Sequence, residues 1–153
     1  MVGAMLTTRV CTITDHLDAL WPLLRAHRNE LATHPEIMPL EPQIDVYREL
    51  EQRGKLLSLV LEHEGEIVGY SVNVISHNLH YGPLKVCQND VIFVSSSWRS
   101  EGGGRQLISA TEIAARELGC KMLLLHAKPG TRLDEILPSY GYAVQDVIHS
   151  RVL

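Results

Sequence analysis

Residues 95–107 read SSSWRSEGGGRQL. Three consecutive glycines, Gly102, Gly103 and Gly104, follow the apolar run DVIFV and lead into a helical pattern, with Arg99 and Arg105 on either side. Such an arrangement can hold an anion. Glycines let backbone N–H groups approach a phosphate without a Cβ in the way, and a helix N-terminus adds partial positive charge. The two arginines would add charge at either end. A flexible surface loop could carry the same glycines. Upstream, the polar pair Asn89-Asp90 interrupts a strand of apolar residues, which is unexpected unless it lines a pocket. His126 ends a second apolar run, KMLLLHA, and an imidazole there can titrate near neutrality. His77 and His80 form His-x-x-His after another strand pattern. No cysteine or carboxylate partner has matching spacing, so no metal site is expected.

The elements that must position these residues follow from periodicity and breakers. TTRVCTIT (7–14) reads as a strand, with Asp15 as N-cap of a helix whose stripe is Leu17, Leu20, Leu24 and His27. HPEIMPLEPQ (34–43) is a proline-rich loop, and a second helix runs from about 43 to 53, ending at Gly54. KLLSLVLEH and IVGYSVNVIS are two strands joined at Glu64-Gly65 as a hairpin. KVCQNDVIFV is a strand ending in four apolar residues, so both faces are expected to be buried. A helix from about 104 to 118 carries Leu107, Thr111, Ala114 and Leu118 on one face and stops at Gly119. KMLLLHA is a buried strand, residues 131–139 form a short helix capped by Thr131, and YAVQDVIHSRVL supplies one or two closing strands.

Known phosphate motifs fit unequally. The Walker loop is absent, and the dinucleotide fingerprint would need a glycine at Leu107. What fits is Arg-x-x-Gly-x-Gly: Arg99, Gly102 and Gly104. With the surrounding DVIFVSSSWRSEGGGRQLISATE, it resembles the central strand, pyrophosphate loop and following helix of the GNAT superfamily, the Gcn5-related N-acetyltransferases. Ser100 stands where that family often has glycine. The HEGEIVGYSVNV hairpin, the two helices after the first strand and the turn PSYGYAVQD extend the likeness over nearly the whole chain. NDVIFV and the later His-Ala-Lys also look like acetyltransferases encoded by phages and prophages.

The resemblance implies an α+β fold over a single domain, 1–153: a mixed, mostly antiparallel sheet of six to seven strands flanked by about four helices. It implies acetyl-CoA as donor and transfer to a primary amine by direct attack in a ternary complex. Backbone amides of Arg99, Ser100, Glu101, Gly102, Gly103 and Gly104, with Arg105, would grip the pyrophosphate. Main-chain groups of Phe93 and Val94 would pair with the pantetheine arm as an added strand, between KVCQNDVIFV and a splayed KMLLLHA. Trp98 would pack the loop and Lys128 could reach CoA phosphate. Asp90 lies where members place an acidic base, and His126 is a second titratable candidate. The family's tyrosine acid stands four residues before the glycine of a Gly-aromatic pair. That position is Leu137, and Tyr140 lies three residues on, about 300° round an α-helix. The departure leaves open a catalytically inactive CoA-binding module, while the glycines alone would also admit a nucleotide-binding module of another fold.

The 153 residues suggest one domain with a core large enough to need no staples. The net charge of -4 and the lack of a basic run argue against nucleic acid. No apolar run is long enough to span a membrane. MVGAMLTTRV lacks a secretion-signal pattern, and three widely spaced cysteines do not make a disulfide framework, so a cytoplasmic location is expected. The expected partner is a small-molecule or protein amine, and the resemblance allows a homodimer.

Overall fold

A computed structural model describes residues 5–153. The first four residues, part of the stretch read for a signal pattern, lie outside it. Strand β1 (Leu6–Cys11) is followed by a 3-10 turn (Ile13–His16), helix α1 (Leu17–Leu31) and helix α2 (Ile44–Gln52). Strands β2 (Leu56–His63), β3 (Glu66–His77) and β4 (Lys85–Val94) come next, then helices α3 (Ser96–Arg99) and α4 (Gly103–Glu117). Strand β5 (Met122–Leu124), helix α5 (Arg132–Ile136) and a 3-10 turn (Leu137–Tyr140) complete the set.

The strands form one sheet in the order β1-β2-β3-β4-β5, antiparallel up to β4 and parallel between β4 and β5. The β2–β3 hairpin turns as expected: Glu64 and Gly65 both take positive φ, 49° and 83°, which suits the right-handed twist of the flanking strands. Period-2 alternation sends β2 side chains to both faces. Leu57, Leu59 and Leu61 pack with Leu107 and Ala114 of α4, while Val60 packs with Leu20 and Leu23 of α1 beside Tyr70 and Phe93. The sheet is therefore covered on both sides, as a near-continuous apolar strand requires.

Three expectations need correction. Among the described residues there are five strands rather than six or seven, and five α-helices rather than about four. The missing strands are those read in YAVQDVIHSRVL. Beyond Tyr142 no backbone N–H or C=O joins a ladder or turn, because β5 offers only three paired residues as a template. Asp15 does not cap α1 either. It sits in the 3-10 turn, whose neighbour Thr14 donates from Oγ1 to Glu51 Oε2 at 2.6 Å, with the Thr14 N–H near Glu51 Oε1 at 3.3 Å. The capping carboxylate comes from α2, a long-range partner that local spacing does not display. Finally, the helix read at 131–139 is α5 followed by the 3-10 turn, with Thr131 Oγ1 accepting from the Asp134 N–H as expected.

Candidate functional site

The polar pair inside β4 makes a bulge. Val72 faces Val91 but Asn73 faces Asn89, so Asp90 is the extra residue. A β-bulge bends its strand and re-aims side chains. Asn89 is buried and donates from Nδ2 to Asn73 Oδ1 and Val91 O, both at 2.9 Å. Asn73 in turn donates to Leu57 O at 3.0 Å and Ser71 Oγ at 2.9 Å. These bonds satisfy buried amides that would otherwise be costly. They also turn Asp90 outward, where it is exposed and accepts from the Tyr47 hydroxyl at 3.4 Å. Burial and the neighbouring Asp90 carboxylate raise the pKa of Tyr47, keeping it a donor.

At the same level the two parallel strands part. β4 pairs with β5 only over Val86–Gln88 opposite Met122–Leu124, while β4 runs on to Val94 against β3. The edge of β4 beyond Gln88 is therefore unpaired on the β5 side. This slot leads to the glycine loop.

Each loop glycine has its own role. Gly102 takes φ +80°, a left-handed conformation that side chains strain. Gly103 is wedged in the core: a Cβ there would lie 2.9 Å from Leu61 Cδ2 and from the Trp98 carbonyl. Gly104 faces open space, with nothing within 4 Å of an added Cβ. The N–H groups of Glu101, Gly103, Gly104 and Arg105 have no acceptor among the described residues, as the first turn of a helix leaves its donors free. These unpartnered donors, open space at Gly104 and the start of a 15-residue helix fit a bound phosphate group.

The two arginines differ. Arg105 holds its guanidinium 4.5 Å over the Tyr140 ring. Arg99 turns away from the glycines: Nε donates to Val94 O at 2.7 Å, and Nη2 reaches both oxygens of Glu30 on α1, at 2.9 and 2.8 Å. Its guanidinium also lies 5.3 Å over the Phe93 ring. The Val94 carbonyl expected to meet pantetheine is thus already engaged. Ser100 and Glu101 are exposed, and Trp98 packs its ring 4.3 Å from His63.

Tyr140 belongs to the 3-10 turn Leu137–Tyr140 rather than to an α-helix. In a 3-10 turn, residues three apart eclipse one another, so Tyr140 falls in line with Leu137, about 60° from where α-helical spacing puts it. Leu137 itself is buried. His126 is exposed just beyond β5, its Nε2 facing the Gln88 amide nitrogen at 3.4 Å. Asp90 and His126 thus stand on the two lips of the slot. Lys128 is exposed. His77 donates from Nδ1 to Gly82 O at 2.8 Å, and His80 meets Tyr81 edge-on, so the pair closes a turn. No metal-binding cluster of three or more ligands occurs among the described residues.

Sequence reading missed Glu30, Tyr47 and the Tyr70–His27 pair. His27 Nδ1 lies 3.1 Å from the Tyr70 hydroxyl, with the ring stacked 5.2 Å from Phe93. The one available signal was His27 on the apolar stripe of its helix.

A sequence model described as Acetyltransferase (GNAT) family matches residues 20–133. No curated protein matches the chain. Among solved structures, it is similar to ribosomal-protein-alanine N-acetyltransferase from Brucella melitensis biovar Abortus 2308, with TM-score 0.70 and 19% identity over 97% of this chain and 99% of that one. It is also similar to AAC(6')-Iy in complex with the bisubstrate analog CoA-S-monomethyl-acetylneamine, with TM-score 0.71 and 23% identity over 98% and 99%. A third is glucosamine-6-phosphate N-acetyltransferase from Arabidopsis thaliana, with TM-score 0.73 and 15% identity over 97% and 98%. At these identities the likeness is one of fold.

Proposed function

Because the chain belongs to the GNAT family of acetyltransferases, we propose that it is an acetyl-CoA-dependent N-acetyltransferase acting on a primary amine as one domain. One observation carries the reading: the N–H groups of Gly103, Gly104 and Arg105 are unpartnered, and the space beside Gly104 is open. When bound, acetyl-CoA supplies a thioester carbonyl for the amine to attack, with loss of the thiolate. The loop amides and Arg105 hold the pyrophosphate, and Tyr140 keeps Arg105 in place through its ring face. The N–H of Val94 meets the pantetheine arm and the developing oxyanion, whereas the main chain of Phe93 is held by Tyr70 of β3. Asp90, turned outward by the bulge, takes the amine proton directly or through water, with His126 on the opposite lip as second acceptor. Tyr140 returns a proton to the departing sulfur.

Direct attack, without an acyl-enzyme, is favoured by the cysteines. Burial pushes the Cys11 thiol up to about 11 and the Cys87 thiol up to about 12. Burial also raises Cys120. A thiol held protonated is a poor nucleophile.

A second reading, a CoA-binding module without turnover, has one observation in its favour: buried Leu137 occupies the position where the family pattern has tyrosine. Calorimetry with acetyl-CoA, using ATP and NAD as controls, followed by thiol release with a panel of amines, separates the readings. Binding and thiol release support the transferase, and binding without release on any amine supports the module. Absence of acetyl-CoA binding removes both.

A further inference from the structure

We propose that Arg99 is a strut for the glycine loop rather than a ligand of the phosphate, and that Glu30 on α1 is the residue that sets it. The proposal rests on the acetyl-CoA reading above for its ligand, but its geometry stands apart from it.

The guanidinium is committed in two directions. Nε–H bonds the last carbonyl of β4, Val94 O, and Nη2 bonds both carboxylate oxygens of Glu30. An arginine so paired brings no net charge to the loop, because its cation is matched by a carboxylate 2.8 Å away. Attraction for a polyphosphate is then left to the free amides, the α4 dipole and Arg105. Removing the Arg99 side chain would also expose an uncompensated Glu30 to the same anion.

The contacts on the two faces of the sheet explain why a strut is needed. On the α4 face the loop is fixed by Gly103 against Leu61 and by Trp98 against His63. On the α1 face Arg99 reaches Glu30, and one helical turn earlier His27 stacks on Phe93. Positions 27 and 30 share a helix face, so α1 holds the end of β4 by a ring and the loop by an ion pair. The loop amides must point together before a phosphate arrives. Pre-ordering them lowers the cost of binding.

The two roles for Arg99 predict opposite signs for one substitution. If Arg99 binds phosphate, Glu30 competes for it and Glu30→Gln tightens binding. If Arg99 is a strut, Glu30→Gln loosens the loop and weakens binding. Acetyl-CoA affinity is measured by calorimetry on native protein, Glu30→Gln, Arg99→Lys, Arg99→Ala and the Glu30→Gln/Arg99→Ala double variant. We expect Glu30→Gln and Arg99→Ala each to weaken binding roughly 5- to 30-fold. The double variant should be no weaker than Arg99→Ala alone, since both remove one device. Arg99→Lys should rescue only in part, because an ammonium cannot bond Val94 O and Glu30 in the same planar geometry. With any amine that is turned over, KM for acetyl-CoA should rise while kcat holds.

Glu30→Gln binding as tightly as native protein, or more tightly, overturns the proposal. So does unchanged affinity in both single variants. Amide hydrogen exchange over residues 95–106 in ligand-free protein reads the strut without acetyl-CoA: Glu30→Gln should speed exchange there and leave β2 and β3 protected. Should native protein bind no acetyl-CoA, the transferase reading fails and exchange alone decides, with unchanged loop exchange overturning the strut.

Discussion

The stretch from Val94 to Gln106 and the stretch from Ala143 to Leu153 are both short and both follow the sheet, yet they are held very differently. The first is clamped from two faces, with Gly103 pressed on Leu61 and Arg99 bonded to Val94 and Glu30. It leaves the N–H groups of Glu101, Gly103, Gly104 and Arg105 unpaired among the described residues. The second makes no backbone hydrogen bond. It leaves Val144 at 81%, Val147 at 68% and Ile148 at 79% exposure. Apolar residues in both places look like structure in sequence. The difference is the neighbour: β4 lies between β3 and β5 and under α4, whereas the tail would have to add to a three-residue strand. A strand exists only where another strand offers its edge.

The largest expected effect that sharpens this comparison is at Gly103. Gly103→Val must displace Leu61 or the Trp98 carbonyl, and should cost about 2–3 kcal/mol in urea unfolding. Loss of less than about 1 kcal/mol would mean that the wedge yields. Next comes Gly104, one residue on, where space is open. Gly104→Val should leave stability within about 1 kcal/mol and weaken acetyl-CoA at least about 10-fold by calorimetry. Unchanged affinity would show that the phosphate sits elsewhere.

A smaller effect belongs to His27. Burial holds its imidazole below the usual 6.5; Lys128 and Arg99 add to this, while Glu30 and Asp90 oppose it. The unfolded chain then binds the proton more readily. The stability so gained is present above about 6.5 and is lost as pH falls from there toward the lower folded value. The melting temperature should therefore drop between about pH 7.5 and 5.5, and less steeply in His27→Gln. Equal slopes would remove His27 from the account. The smallest effect is expected from ending the chain after Tyr142. Tyr142 donates its hydroxyl to Glu112 on α4 at 2.6 Å and should remain docked, so stability should change by no more than about 0.5 kcal/mol. A larger loss would mean that the tail covers part of the sheet in solution and that the contrast between the two stretches is overstated.

Much of the site was legible in local pattern. Gly104 sits among the unpaired N–H groups of the first α4 turn, and Asn89-Asp90 marks a bulge at the mouth of the slot, because a polar pair in an apolar strand needs a reason. The Arg99–Glu30 pair was not legible, since the two residues stand 69 positions apart in the chain. Tyr140 was placed about 60° from the direction of Leu137 because the last turn tightens to 3-10. The Asp15 cap and the closing strands failed for a like reason: each depended on what lay beside it in space.

By itself the sequence determined the order of strands and helices up to β4, the hairpin at Glu64-Gly65 and the glycine turn at the head of α4. These depend on periodicity, backbone freedom at glycine and apolar burial, which act between near neighbours. Only the tertiary structure decided which carboxylate caps which turn, where β4 and β5 separate, which partners Arg99 and Arg105 take and whether the last residues become a strand. Each of those is a pairing between distant segments, and its free energy depends on a partner that no local pattern displays.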